Sequence, residues 1–271
     1  MHFKKTGLAT LAAAALLLAA NPATAASSAY ASMSVFYKLI DLDLDDNIAT
    51  SISFAMPEGY GNGVGITTYT NYASNSDTYD FGTGNVSTAY AGSNIAAAAS
   101  VTNDASWSSG LFTLTTTGSA NNEDAVYNQF NSSAWADRQF TLSANTMVVF
   151  SASYRIGADT TPSSFDAASS NTWMETWGPN ADGGSQSSYV SIDLAEKMYV
   201  APSQSIANRA RVSFSNLSDN SPLTGDLHAQ IGTFGIASAV TPVPEPESWA
   251  MLLAGLGFVG ALARRRKQPT V

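Results

Sequence analysis

The densest group of side chains that could do chemistry lies near the start of this 271-residue chain. It is a run of four aspartates: Asp41, Asp43, Asp45 and Asp46. Calcium favours several carboxylates close together, and this spacing fits the first half of a calcium-binding loop. Asp46 nevertheless stands where such a loop has glycine, and Ile52 stands where it has a bidentate glutamate. We keep a candidate cation site but favour a solvated strand face that runs into a turn, with Leu42 and Leu44 directed to the core.

The chain contains few of the residues that nucleophilic catalysis and transition-metal binding require. The chain contains no cysteine, which excludes disulfides, thiol catalysis and cysteine-ligated zinc or iron–sulfur sites. His2 lies in the N-terminal segment, so His228 is the single histidine of the remaining chain, and no G-x-S-x-G motif accompanies it. We therefore predict a structural role for His228, no catalytic residue, no firm metal site and no cofactor, with calcium as the one candidate ion.

Aromatic side chains offer a platform that could stack on sugar rings. The candidates fall mostly in stretches rich in turn-forming residues: Trp107, Trp135, Trp173, Trp177, Tyr69, Tyr72 and Tyr79. Trp173 and Trp177 are the candidate glycan contacts, because short polar side chains beside them could bond sugar hydroxyls. The alternative interpretation is that these aromatics cap the ends of a hydrophobic core.

A glycoside hydrolase would need a pair of carboxyl groups placed by the fold rather than by sequence spacing. The body of the chain has four glutamates, Glu58, Glu123, Glu175 and Glu196, and nothing marks two of them as a pair. We therefore expect a protein that is not an enzyme. A secreted glycan-active hydrolase remains the alternative.

The charge distribution limits the class of partner. Residues 26–241 carry 19 acidic and 6 basic side chains, so the body is strongly acidic although the whole chain has a formal charge of −9. Phosphate contacts need clustered lysine and arginine, so we predict no nucleic-acid binding. Charged residues are only 12% of the chain, a composition common in exported bacterial surface proteins.

The alternation of polar and apolar residues along the body predicts strands. The clearest hairpin joins residues 138–143 to residues 146–156 through Ala144 and Asn145. About ten short strands with turn signals between them predict an all-β fold, an antiparallel β-sandwich or jelly roll.

Other stretches are less clear in the sequence. Residues 86–101 could form one long strand or a hairpin, with a short helix at residues 96–99 as a further alternative. Residues 71–85 and 157–188 are rich in turn formers and are predicted as long loops that carry function.

The N-terminal segment has the three parts of a secretory signal peptide. Lys4 and Lys5 supply the positive charge, residues 8–20 are apolar except for Thr10, and residues 23–25 give a small-x-small cleavage site. Thirteen residues are too few for a span, which needs about 20. We predict export through the general machinery and cleavage by signal peptidase.

The C-terminal end combines a proline-rich neck, an apolar run and a basic stop. The apolar run at residues 249–263 would be about 22 Å long as a helix, short for a hydrocarbon core of about 30 Å. The stop is Arg264, Arg265, Arg266 and Lys267, which by the positive-inside rule would stay in the cytoplasm. The predicted division is therefore a signal peptide at 1–25, a β-sandwich at 26–237, a neck at 238–247 and a transmembrane sorting segment at 248–271.

The ordered set of Val243, Pro244, Glu245 and Pro246, the apolar run and the basic stop resembles the PEP-CTERM sorting signal of Gram-negative bacteria. The same segment is also known as an ice-binding-protein C-terminal domain, a label that does not establish ice binding. The resemblance implies recognition by an exosortase, with Glu245 as a recognition residue, and removal of the tail after transient membrane anchoring. It further implies a cell-surface or extracellular protein of an exopolysaccharide-producing bacterium, found in matrix or biofilm, with exopolysaccharide as a candidate partner.

Overall fold

The computed structural model describes residues 25–56, 61–104, 110–122, 127–161, 166–196, 203–238, 253–256 and 258. Thr24–Ala239 forms one compact unit, and the two terminal segments form another. The second unit contributes helical residues at 253–256 and 258. Within the part of the chain that the structure describes, no helix has the length and apolar character needed to cross a membrane. The predicted signal peptide except Ala25, the predicted neck except Ser238, and the predicted basic stop lie outside the described residues.

Antiparallel strands form two packed sheets, as the alternation predicted. The six-stranded sheet has the order β12-β9-β1-β7-β6-β5, and its strands in chain order are β1 Ala25–Asp41, β5 Val86–Ala91, β6 Ile95–Asn103, β7 Gly110–Asn122, β9 Thr146–Thr160 and β12 Ser203–Asn216. The seven-stranded sheet has the order β11-β10-β13-β8-β3-β4, with β2 also paired to β8. Its strands are β2 Ile52–Ala55, β3 Asn62–Thr70, β4 Ala73–Gly82, β8 Asn128–Leu142, β10 Ala167–Pro179, β11 Ser185–Glu196 and β13 Leu223–Ala237. The all-β sandwich is confirmed.

The core lies between the sheets because every second residue of the central strands points inward. Along β8, and along β13 from Gly225 onward, each inward residue is buried and each outward one is half-buried or exposed. Phe140 and Phe214 meet edge to face with ring centroids 5.2 Å apart, and Phe150 lies 5.2 Å from Phe140. Such aromatic pairs contribute about 0.5–1.5 kcal/mol beyond the area they bury. They join the two sheets near the turn at Ala144 and Asn145, which is confirmed. The predicted hairpin around this turn was wrong, because the chain crosses there from one sheet to the other: β8 pairs with β13, β3 and β2, whereas β9 pairs with β1 and β12.

Several local predictions were wrong. The predicted loop at 71–85 contains β4, and the predicted loop at 157–188 contains β10 between the end of β9 and the start of β11. Residues 86–101 form a hairpin of β5 and β6, which was one of the predicted alternatives. The alternative of a short helix at residues 96–99 was wrong, because these residues belong to β6. The turn-forming residues of β4 and β10 are compatible with strands because most of them face solvent or neighbouring small side chains.

One inward position of β8 carries a cation. Arg138 is fully buried, and its Nη2 donates to Asn103 Oδ1 at 2.5 Å while Nη1 donates to the Asp137 carbonyl at 2.7 Å. Its guanidinium carbon also lies 5.0 Å from the centre of the Phe112 ring. Asn62 Nδ2 donates to the same Asn103 oxygen at 2.9 Å. Burial lowers the pKa of Arg138 to about 10, against the opposing effect of Asp137, so the side chain stays charged at neutral pH and links the two sheets.

Candidate functional site

The outer face of the seven-stranded sheet carries a row of aromatic residues across the strands. In the strand register, Trp173 pairs with Gln230, Gln230 with Trp135, Trp135 with Gly63, and Gly63 with Phe81. These residues come from β10, β13, β8, β3 and β4 in turn, and their positions in the chain are up to 167 residues apart. Only the fold brings them together.

Glycines on β3 allow the rings on this face to lie close to the sheet. A Cβ atom at Gly63 would lie 2.2 Å from Cε2 and Cζ2 of Trp135, so the indole passes directly over this position. A Cβ atom at Gly65 would lie 2.8 Å from Cε1 of Tyr79 in the same way. We call the surface formed by Tyr79, Phe81, Trp135, Trp173 and Tyr189 the aromatic face.

A shallow hollow of about 560 Å³ opens at one end of the aromatic face. Its walls include Trp173, which is 37% exposed, and Tyr189, which is 74% exposed. Polar residues complete the lining: Asn171, Thr172, Glu175, Ser191, Asp193 and Gln230. Exposed rings with convergent amide, hydroxyl and carboxylate groups form a surface that could stack on a sugar and bond its hydroxyls.

The aromatic residues selected as candidates from the sequence lie at different positions in the structure. Trp135, Trp173, Trp177 and Tyr79 lie on strands and face outward, so neither a loop position nor a core-capping role describes them. Trp173 lines the hollow, whereas Trp177 lies four residues further along β10, beside Asp226 of β13. The role of Trp173 and Trp177 as glycan contacts stays a prediction. Trp107 lies outside the described residues.

His228 is half-buried beside Trp173 and is held by a carboxylate. Its Nδ1 lies 2.5 Å from Asp137 Oδ1, and its ring meets Trp173 edge to face at 5.2 Å between centroids. Burial, the largest influence, lowers the pKa of His228. The hydrogen bond and charge of Asp137, with smaller effects of Gln230 and Glu175, outweigh burial and raise this pKa above 6.5. The prediction of a structural histidine did not foresee this partner, because Asp137 is 91 residues away.

The raised pKa of His228 predicts a pH dependence of stability. A group whose pKa is higher in the folded state stabilises the fold fully below its unfolded value, here 6.5, and loses that effect as the pH rises through the folded value. We expect the free energy of unfolding to fall over this range, and to fall less in Asp137→Asn. Urea unfolding of both proteins from about pH 5.5 to about pH 8.5 measures the difference. Equal pH slopes in the two proteins would contradict the pairing.

Charges are divided between the two outer faces. Within the described residues, the outer face of the seven-stranded sheet carries five carboxylates and neither lysine nor arginine: Asp77, Asp137, Glu175, Asp193 and Asp226. Burial raises the pKa of Asp226; the hydrogen bond from Gln139 opposes this rise, and the charge of Asp137 adds to it. The opposite outer face carries four cations, Lys38, Arg155, Arg209 and Arg211, and one carboxylate, Asp159. The aromatic face is therefore an acidic surface.

The acidic run at residues 41–46 is a turn rather than a strand face. β1 ends at Asp41, and Leu42 and Leu44 are 40% and 84% exposed, so the prediction that these leucines point to the core was wrong. The carboxylates accept local backbone N–H groups: Asp43 N donates to Asp41 Oδ1 at 3.1 Å, and Asp45 N to Asp43 Oδ1 at 3.1 Å.

Asp46 anchors this turn to the turn between β8 and β9. Its Oδ1 accepts the Ile48 N–H at 2.7 Å, and its Oδ2 accepts Asn145 Nδ2 at 2.8 Å. Among the described residues no three acidic or histidine side chains come close enough to hold a metal ion. The candidate calcium site at Asp41, Asp43, Asp45 and Asp46 stays a prediction.

The remaining predicted site residues, Val243 to Pro246 and Arg264 to Lys267, lie outside the described residues. A family model described as the PEP-CTERM protein-sorting motif matches residues 242–267. The chain carries a PEP-CTERM sorting motif. The match includes both the motif Val243 to Pro246 and the basic stop Arg264 to Lys267, and it implies exosortase processing.

Two other comparisons add little to the PEP-CTERM match. No curated protein matches the chain. One solved structure, whose title concerns the promiscuous specificity of carbohydrate-binding modules from the β-sandwich superfamily, matches with 7% identity and a TM-score of 0.12. The match covers 76% of this chain and 96% of that chain. At this TM-score the likeness supports no conclusion about the fold or its ligand.

Proposed function

We propose that this chain is an exported surface or extracellular-matrix protein of an exopolysaccharide-producing Gram-negative bacterium. The PEP-CTERM motif at residues 242–267 supports export, transient membrane anchoring and removal of the tail by an exosortase. The β-sandwich is proposed to bind glycan without acting as an enzyme. The observation that carries this part is the hollow between Trp173 and Tyr189, where exposed rings and short polar groups converge on a sheet face.

The sorting proposal predicts a difference between hosts with and without an exosortase. In a host with the enzyme, the full chain should lose its tail and leave the membrane fraction, and Glu245→Ala should remain there with its tail. A chain ending at Thr241 should leave the membrane in both hosts. Cell fractionation with intact-mass measurement follows each species. Tail removal in the host without the enzyme would contradict exosortase processing.

The glycan proposal predicts that one aromatic substitution removes binding. Trp173→Ala should weaken binding to the best ligand of a glycan panel by about tenfold, since the lost stacking contact and the lost burial of the ring together are worth about 1.4 kcal/mol. The matched control is Phe36→Ala, because Phe36 is 43% exposed on the outer face of the other sheet. This control should bind like the original chain. Binding to no member of the panel would remove the glycan proposal and leave a structural role.

The same panel tests the alternative of a glycan-active enzyme. Glu175, Asp137 and Asp226 lie on one part of the outer face, on the neighbouring strands β10, β8 and β13. Diagonal neighbours on adjacent strands are about 7–8 Å apart, within the range of paired carboxylates in inverting hydrolases. Because the hollow beside Glu175 is shallow and open, we expect no new reducing ends in any mixture. Their appearance, and their loss in Asp137→Asn, would favour the enzyme.

A further inference from the structure

We propose that the aromatic face binds a linear, uncharged polysaccharide whose chain runs across the β-strands from β11 to β4. This inference rests on the proposed glycan-binding function and adds the class of glycan and the direction of its chain. The arrangement of the rings, the floor between them and the charge of the surrounding surface all favour such a ligand.

The rings form two patches at opposite ends of the face. Trp173 and Tyr189 form the first patch on β10 and β11, and Trp173 leans towards His228 of β13. Trp135 and Phe81 belong to the second, where they meet edge to face with ring centroids 5.4 Å apart above β3. Tyr79 extends this second patch along β4.

The distance between the patches requires an extended ligand. Strand β10 is separated from β3 by β13 and β8, which makes three strand spacings. With adjacent strands about 4.8 Å apart, β10 and β3 are about 14 Å apart, so a ligand that covers the rings above both strands is longer than a disaccharide. A ligand that contacts both patches therefore has several sugars in line, and its chain crosses the strands.

The floor between the patches is low and polar. Gln230 lies between Trp173 and Trp135 in the register, and Gly232 and Ser133 continue the floor in the adjacent row. A Cβ atom at Gly232 would lie 2.8 Å from Asn171 Oδ1, so the Asn171 amide covers this glycine. Amide and hydroxyl groups at these positions can donate to and accept from sugar hydroxyls along the connecting part of the chain.

The charge of the face selects against acidic glycans. Five carboxylates surround the rings, and within the described residues the face has neither lysine nor arginine to neutralise a uronate or sulfate group. Like charges facing each other across an interface are unfavourable and suppress the wrong partners. An uncharged chain meets no such repulsion and still offers its apolar ring faces to the aromatic residues.

The dependence of affinity on the length of the glycan distinguishes binding across the whole aromatic face from binding at the hollow alone. The probes are disaccharides and hexasaccharides of β-1,4-glucan, β-1,3-glucan and β-1,4-xylan, with an alginate hexasaccharide as the acidic probe. The protein is the full chain in a detergent without sugar headgroups, and calorimetry measures affinity. For the neutral series that binds, the hexasaccharide should bind at least about tenfold more tightly than the disaccharide, and alginate should bind more weakly than both.

Phe81→Ala is the decisive variant, because Phe81 is 65% exposed on an edge strand and its loss should not unfold the protein. It should weaken hexasaccharide binding about tenfold and leave disaccharide binding unchanged, whereas Trp173→Ala should weaken both. Phe36→Ala should change neither. Equal affinities of disaccharide and hexasaccharide, or tighter binding of alginate, would overturn this inference while leaving glycan binding intact.

Binding of no probe would instead overturn the proposed function itself. Sedimentation provides a further test. If the protein self-associates, and Phe81→Ala abolishes this association without changing glycan affinity, then a second copy of the chain covers the aromatic face and the inference is overturned.

Discussion

Arg138→Ala is expected to lower the free energy of unfolding by about 3–5 kcal/mol, among the largest effects of any single substitution in this protein. The guanidinium lies between the sheets, where Asn103 Oδ1 and the Asp137 carbonyl accept its protons and Phe112 covers it. Alanine would leave both acceptors without this donor and would open a cavity of the size of the lost side chain. Buried polar groups that lose a partner cost about 1–3 kcal/mol each, and the cavity adds to that cost.

Arg155 provides the matched control. Its guanidinium carbon lies 5.3 Å from the centre of the Tyr30 ring, much like the 5.0 Å between Arg138 and Phe112, but Arg155 is exposed on the outer face of the six-stranded sheet. Arg155→Ala should cost less than about 1 kcal/mol. Urea unfolding at neutral pH compares the two variants. Similar losses for both would show that the buried network around Arg138 is not a major source of stability.

Arg138→Met separates the two parts of the expected loss. Methionine fills much of the space of the arginine stem, but it donates no hydrogen bond to Asn103. Its loss of stability should therefore lie between that of Arg138→Ala and that of Arg155→Ala. A methionine variant as unstable as the alanine variant would assign the effect to the hydrogen bonds alone.

The sequence shows a strand when inward and outward residues differ in polarity. Strand β8 meets this condition, because Phe140 and Leu142 alternate with Gln139 and Thr141 and are buried. β10 does not meet it. Its inward residues include Ser170, Thr172 and Thr176, all buried, while its outward residues include Trp173 and Trp177. The usual pattern is inverted there, so the sequence resembles a polar loop with exposed tryptophans.

β4 was missed for a different physical reason. It is an edge strand that is exposed along nearly all of its length, and serine, asparagine and aspartate cover it. Nothing in such a strand has to be apolar. Its presence follows from pairing with β3, and the two glycines of β3 at positions 63 and 65 accommodate the rings above them. Edge strands with charged and short polar side chains also resist unwanted pairing with other chains.

The candidate site was accessible to sequence reasoning only in part. Trp173 could be selected because an exposed tryptophan among short polar residues is a common glycan contact. The partners of Trp173 could not, because Gln230 and Tyr189 reach it only through the register of β10 with β13 and β11. The acidic character of the aromatic face could not be predicted either, because it depends on which face of its sheet each charged strand residue occupies. The sorting motif, in contrast, is contiguous and independent of the fold, and it was predicted in full.

Gly118→Ala is the second substitution with a large expected effect, because it places a methyl group inside an aromatic ring. Phe130 is fully buried between the sheets, and its ring reaches from Gly235, its register partner on β13, to Gly118 on β7 of the opposite sheet. A Cβ atom at Gly118 would lie 2.0 Å from Cδ2 of Phe130, and one at Gly235 would lie 2.2 Å from Cε1. Interiors are close-packed, so the ring cannot move away from one glycine without approaching the other.

We expect Gly118→Ala to lower the free energy of unfolding by about 1–3 kcal/mol or more, as overpacking does in well-packed cores. Gly84→Ala is the control, since a Cβ atom there would meet nothing within 4 Å, and it should be near neutral. Combining Gly118→Ala with Phe130→Leu tests the mechanism, because the smaller and more flexible leucine makes room for the added methyl group. The double variant should be more stable than the sum of the single losses predicts, by about 0.5–3 kcal/mol. Strict additivity in urea unfolding would show that Phe130 does not hold Gly118 in place.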